Sequence, residues 1–170
     1  ETIKYHSDIN VESSLSALLE WISLQSSPNL IIKGHPANLE SMKPLKKICS
    51  EVIMSKPHLG QKVMWIDNIS IHELLQRCSA VFTVNSGVGL EALLHYKQVF
   101  TFGNADYSSI STKIMFGGNI ENAINNIDKA YKLMQLGGCK NRDFRAFIAK
   151  WNDIHYDCFS TKSFHIYSSS

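Results

Sequence analysis

The chain has 170 residues, the size of one ordinary domain. Apolar residues make up 44% and charged residues 19%, enough for a packed core and unlike a disordered chain. With 17 basic against 15 acidic residues, the net charge of +2 excludes a polybasic nucleic-acid tail or membrane patch.

Residues 1–6 (ETIKYH) lack the apolar run of a signal peptide. No later apolar run approaches the ~20 residues that cross a bilayer. The chain opens on Glu1 and not on methionine, so it reads as a piece of a longer protein. Val11, Leu15, Leu18, Leu19 and Ile22 share one helical face, with Ser7, Asp8 and Asn10 as candidate caps. Pro28-Asn29 breaks that helix. Leu30-Ile31-Ile32-Lys33 reads as a short buried strand ending at Gly34-His35-Pro36. A helix follows, with Pro44 in its first turn and Leu45, Ile48, Cys49, Val52 and Ile53 as its stripe. Lys56-Pro57 and Gly60 punctuate, and residues 62–66 (KVMWI) form the second strand. Ser70-Ile71-His72-Glu73 has the form of a capping box that opens a short helix through Leu74 and Leu75. Residues 80–84 (AVFTV) are the third strand. Asn85-Ser86-Gly87-Val88-Gly89 then turns into a helix carrying Glu91, Leu93 and Leu94, and residues 98–102 form the fourth strand, closed by Gly103. Ile120, Ala123, Ile124, Ile127, Tyr131 and Met134 keep a helical period that Gly137-Gly138 stops. Phe144, Phe147, Ile148, Trp151 and Ile154 make a last stripe, capped by Asn141, and residues 161–170 read as a frayed polar tail.

Strands thus alternate with helices, and the third strand is a nearly unbroken apolar run, as in a parallel strand covered on both faces. The pattern predicts an α/β fold of Rossmann type, a doubly wound parallel sheet with C-terminal helices, in one domain over residues 1–160. The four cysteines, Cys49, Cys78, Cys139 and Cys158, form no CxxC pair and no zinc-ligand spacing. Cys49 and Cys78 fall on apolar faces and read as buried free thiols of a reducing compartment.

In such sheets ligands lie beyond the carboxyl ends of the strands. At the first strand end, Gly34 removes a side chain where a ligand can approach the backbone. His35 is a donor suited to a phosphate oxygen, and Pro36 fixes the turn. The plain alternative is a loop histidine that caps a neighbouring carbonyl. At the third, a small-residue turn entering a helix offers backbone N–H groups and the positive end of the helix dipole, an anion cradle to which Ser86 adds a hydroxyl. Glu91 can accept two hydrogen bonds from ribose hydroxyls. The plain alternative makes Ser86 a cap and Glu91 a dipole-favoured carboxylate. The pattern places His35, Ser86 and Glu91 within ~10 Å of one another, a distance set by strand spacing. Gly103-Asn104-Ala105-Asp106-Tyr107 either lines the same crevice or is a polar connection. Asp67 either orients the next loop or touches the ligand. His58 and His72 look like surface residues, and His6, His95, His155 and His165 have no partner at ligand spacing. Trp21, Trp65 and Trp151 read as core. No HExxH, Walker lysine loop, GxGxxG or Asp-x-Asp is present, so no metal is expected.

Lys33-Gly34-His35-Pro36, Ile66-Asp67, residues 83–94 (TVNSGVGLEALL), Lys97-Gln98-Val99 and residues 103–107 (GNADY) together resemble the capsule polysaccharide biosynthesis family of bacterial glycosyltransferases. The best-known members are retaining β-Kdo transferases that use CMP-Kdo. The resemblance implies a GT-B enzyme, with two Rossmann-like domains facing across a cleft, of which this chain is the C-terminal, donor-binding one. It implies that Lys33, Gly34, His35, Pro36, Asn85, Ser86, Gly87 and Glu91 surround the nucleotide-sugar. His35 and Ser86 would hold the CMP phosphate, and Glu91 would sit near the ribose or cytosine. No metal cofactor is implied, and the acceptor is a glycan or glycolipid. The catalytic carboxylate and acceptor contacts belong to the N-terminal half. The implied location is cytoplasmic, at the inner face of the membrane, with any peripheral membrane association made by the rest of the enzyme and no nucleic acid involved. Two positions depart from the family pattern. Gly87 stands where a small or β-branched residue is usual, and Gly34 replaces the proline of Lys-Pro-His-Pro. The alternatives are a UDP-sugar-binding GT-B or epimerase-like domain, or a non-catalytic nucleotide-sugar-binding module.

Overall fold

A computed structural model describes residues 10–34 and 39–137. Of the three candidate caps, Asn10 opens helix α1 (Val11–Ser23); its side-chain oxygen accepts from the Glu12 N–H at 2.7 Å. Of the predicted stripe, Leu15, Leu18, Leu19 and Ile22 are buried and Val11 is half-buried against them, and Trp21 joins them in the core. Strand β1 (Leu30–Lys33) pairs in parallel with β2 (Val63–Ile66), Leu30 beside Val63 and Lys33 beside Ile66. Helix α2 (Leu39–Ser55) and a 3-10 turn (Pro57–Gln61) connect them.

Helix α2 starts earlier than expected, so Pro44 lies inside it and not in its first turn. Proline there removes the N–H that would bond the Glu40 carbonyl. Glu40 is exposed, so water can take that carbonyl and the helix continues. The expected capping box of α3 (Ile71–Arg77) also does not form. Ser70 is the cap residue, but its side chain makes no cap bond. Glu73 turns instead toward Arg77, 4.0 Å away and one turn on.

Strand β3 (Ala80–Thr83), helix α4 (Val88–Leu94), strand β4 (Gln98–Thr101), strand β5 (Thr112–Lys113) and helix α5 (Ile120–Gln135) complete the described part. All strand pairs among the described residues are parallel. Strand β5 has no counterpart in the sequence pattern, because two polar residues carry no periodicity; the ladder continues as the Ile114 N–H donates to the Thr101 carbonyl at 2.8 Å.

The sheet is hydrogen-bonded in two parts, β1–β2 and β3–β4–β5. Side chains join them. Leu30, Ile32, Val63 and Trp65 from one part share a core with Phe82, Val84 and Phe100 from the other. Trp21 of α1 packs 6.0 Å from Phe82 and 5.0 Å from Tyr131 of α5. Side chains alternate across β3 and β4 with the period of two expected of a strand. Phe82 and Phe100 face α1 and α5, while Val81 and Val99 face a second core with Leu75 of α3 and Leu93 of α4. Helices therefore cover both faces of this part, the doubly wound arrangement of a Rossmann-like α/β fold. On β1–β2 the register partners Ile31 and Met64 are exposed.

Cys49 is buried, Cys78 half-buried, and both are free thiols whose pKa burial pushes up. Gly137 takes φ 74° and ends α5 as expected. Gly138, Cys139, Cys158, the stripe from Phe144 to Ile154 and the tail 161–170 lie outside the described residues.

Candidate functional site

The carboxyl end of β1 is tied to the end of β2. The Lys33 ammonium donates to the carbonyls of Gly34 at 2.9 Å and Asp67 at 2.8 Å. The Asp67 carboxylate accepts from Lys46 at 2.7 Å and from the Trp65 indole N–H at 2.8 Å. Those two hydrogen bonds, that from Lys46 first, hold its pKa below the usual carboxylate value. Gly34 is buried in this knot. A Cβ there would lie 2.3 Å from Asp67 Oδ1 and 3.3 Å from Trp65 Nε1. The glycine thus makes room for a carboxylate of its own chain, and that carboxylate links the end of β2 to Lys46 of α2. Lys46 also stands 5.3 Å over the Trp65 ring. His35 and Pro36 lie outside the described residues, and with them the distances from His35 to Ser86 and Glu91.

At the end of β3, Ser86 and Gly87 are exposed. The Ser86 N–H donates to Thr83 Oγ1 at 3.2 Å, and Ser86 Oγ accepts from the Val88 N–H at 3.3 Å. An oxygen that accepts a hydrogen bond keeps its own hydrogen. Ser86 therefore braces the turn one residue before the cap position, Gly87, and retains an O–H that can donate outward. The N–H groups of the turn are less open than the sequence suggests. Gly89 donates to the Ser86 carbonyl, and Leu90 and Glu91 donate to the Gly87 carbonyl. Among the described residues, the Gly87 N–H has no such acceptor. Nothing lies within 4 Å of a Cβ built on Gly87, so the departure from the family pattern there is sterically neutral.

The 103–107 loop contributes a residue that the sequence left open. Tyr107 neither lines a crevice nor sits in a polar connection. It is buried beneath the turn and donates its hydroxyl to the Ser86 carbonyl. Burial pushes its pKa up to about 12. Gly89 is the sequence signal that could have found it, since no turn there needs a glycine. A Cβ at that position would lie 2.2 Å from Tyr107 Oη.

Glu91 points toward α3. Its carboxylate stands 3.9 Å from His72 Nε2, and His72 Nδ1 stands 3.3 Å from His95 Nε2. His72 is exposed, as expected, and His95 lies beside it, a neighbour that sequence spacing does not reveal. They are 23 residues apart, and only the packing of α3 beside α4 brings them together. Among the described residues no group of three or more His, Cys, Asp or Glu is placed to hold a metal ion. No described helix is long and apolar enough to cross a membrane.

Parallel strands with helices packed on both faces define a Rossmann-like α/β fold. Residues 1–111 match the family described as capsule polysaccharide biosynthesis protein, and the chain belongs to that family. It is 35% identical over 80 residues to the capsule polysaccharide export protein KpsS of Escherichia coli, covering 46% of this chain and 20% of that protein. The chain thus spans about a fifth of the length of the curated relative it matches. No solved structure matches it significantly.

Proposed function

We propose that this chain is the donor-binding part of a glycosyltransferase that uses a CMP-activated, Kdo-like sugar for capsule or surface polysaccharide synthesis. The observation that carries the reading is the Ser86 turn. It lies at the carboxyl end of a parallel strand, exposed, with a hydroxyl hydrogen and the Gly87 N–H that engage no acceptor among the described residues. Family membership supports capsule synthesis, and the name of KpsS concerns capsule polysaccharide export.

In this mechanism the nucleoside monophosphate leaves the anomeric carbon through an oxocarbenium-like transition state. Negative charge grows on the departing phosphate. The Ser86 hydroxyl, the Gly87 N–H and His35 donate to it, stabilising charge that develops only as the bond breaks. These donors take the place of a divalent metal. Lys33, Gly34, Pro36 and Asn85 shape the loops around the phosphate, and Glu91 accepts from the ribose hydroxyls. The acceptor is a glycan or glycolipid, and the reaction takes place in the cytoplasm at the inner face of the membrane.

One observation favours a second reading, a non-catalytic nucleotide-sugar-binding module. Most N–H groups of the turn are satisfied locally, and Glu91 has His72 beside it. Calorimetric titration with CMP and with UDP, each with and without EDTA, tests the donor assignment. CMP binding that resists EDTA supports it. A magnesium requirement or a preference for UDP overturns it. Transfer from CMP-Kdo by the full-length protein, lost in Ser86→Ala, separates an enzyme from a module.

A further inference from the structure

Ser86 is gripped through both of its flanking peptide groups. Its N–H donates to Thr83 Oγ1, and its carbonyl accepts from Tyr107 Oη. The two bonds form a short circuit around Ser86, in which Thr83 Oγ1 accepts from the Ser86 N–H and Tyr107 gives its hydrogen to the Ser86 carbonyl.

This circuit is built into the fold. Thr83 is the last residue of β3, and the loop after β4 supplies Tyr107. The neighbouring ladder is anchored by Phe102 N–H to Thr83 carbonyl and Gly103 N–H to Val84 carbonyl, both 2.9 Å. The tyrosine is 3% exposed, and its ring occupies the space that Gly89 leaves empty. A buried hydroxyl of this kind is costly to leave unpaired, so its bond to Ser86 is obligatory in the folded state. Ser86 itself is exposed. An exposed serine on a short turn would ordinarily sample several backbone orientations. Here the two peptide planes that flank it are each held by an internal partner, and the Gly87 N–H belongs to the peptide that the clamped carbonyl begins.

We propose that Tyr107, with Thr83, is a positioning residue that sets the direction of the Ser86 hydroxyl and the Gly87 N–H toward the phosphate of the donor nucleotide. The proposal rests on the function assigned above. Tyr107 does not touch the nucleotide. It acts through the Ser86 peptide, so its loss is felt where the phosphate binds and not where the nucleoside binds.

The test is calorimetric titration of the 170-residue chain with CMP and with cytidine. Tyr107→Phe keeps the ring under Gly89 and removes only the hydroxyl. Its CMP affinity is expected to fall roughly five- to tenfold, the scale of one hydrogen bond, with cytidine affinity unchanged. Thr83→Val breaks the circuit from the other side and is expected to do the same. It also serves if Tyr107→Phe fails to fold. The double variant should lose little more than either single one, because both remove the same device. Equal losses for CMP and cytidine would mean that Tyr107 merely supports the fold, and would overturn the proposal. Wild-type CMP binding by Tyr107→Phe and Thr83→Val, with Ser86→Ala impaired, overturns the positioning role and leaves the phosphate site standing. If Ser86→Ala also binds CMP as wild type, the phosphate site and the positioning role fall together.

Discussion

Two glycines two positions apart respond to alanine in opposite ways. At Gly89 the new Cβ would lie 2.2 Å from Tyr107 Oη, 2.4 Å from Cζ and 2.5 Å from Cε2. The ring is buried and cannot swing into water without opening the core around Leu93 and Val99. Overpacking of this kind costs ~1–3 kcal/mol. Displacing the ring also breaks the bond to the Ser86 carbonyl, about 1 kcal/mol more. The better helix propensity of alanine offsets at most ~1 kcal/mol. Gly89→Ala is therefore expected to destabilise the chain by ~1–3 kcal/mol. At Gly87 a Cβ meets nothing within 4 Å, and the backbone at φ −55° and ψ −23° suits any residue. Gly87→Ala is expected to stay within about 0.5 kcal/mol of wild type. Equilibrium urea unfolding reads both. The Gly89→Ala midpoint should fall by on the order of 1 M and the Gly87→Ala midpoint should hardly move. A wild-type midpoint for Gly89→Ala, or equal losses for the two, refutes the packing of Tyr107 under α4.

His35→Ala is expected to weaken CMP binding by ~1.5–3 kcal/mol, the scale of a hydrogen bond to a charged group, while His58→Ala is silent; equal effects in titration would reduce His35 to a loop residue. Glu91→Gln should cost about 1 kcal/mol of CMP affinity and less for 2′,3′-dideoxy-CMP, which has no ribose hydroxyls to lose. A Gln variant that binds both like wild type returns Glu91 to its contact with His72. Asp128 accepts from Lys132, from the Trp21 indole at 3.3 Å and from Gln25 at 3.2 Å, and hydrogen bonding, with Lys132 first, lowers its pKa. A carboxylate lowered in the folded state stabilises fully above its unfolded value of ~3.9, and that contribution is lost as pH falls through the folded value. Melting temperatures of wild type should therefore drop more steeply than those of Asp128→Asn below about pH 4, and parallel acid limbs would refute the hydrogen bonding of the Asp128 carboxylate in the folded state.

Local order was legible in the sequence because it follows from spacing alone. The stripes of α1 and α5 sit three and four residues apart and fall inward as a helix requires, apart from Ile120, which is exposed in the first turn of α5. The strand at 80–83 shows as an apolar run bounded by turn residues, and the motif from Asn85 to Leu94 shows as a turn feeding a helix. Where two signals competed, spacing was a weaker guide. Pro44 suggested a helix start, yet an exposed carbonyl let α2 begin earlier. Ser70 and Glu73 had the capping-box spacing, yet solvent-exposed groups were free to choose other partners.

Tertiary structure alone decided what each site residue touches. Gly34 looked like an opening for a ligand and is filled by Asp67, 33 residues on. Gly89 looked like part of an anion loop and is an empty space for Tyr107. Glu91 and His72 looked independent and are neighbours. The division of the sheet into two ladders joined by side chains left no mark on the pattern either. The physical reason is common to all four. Periodicity reports which way a residue faces on its own element. What it meets there depends on how elements distant in sequence dock, through close contacts that hold only for one packing of the whole.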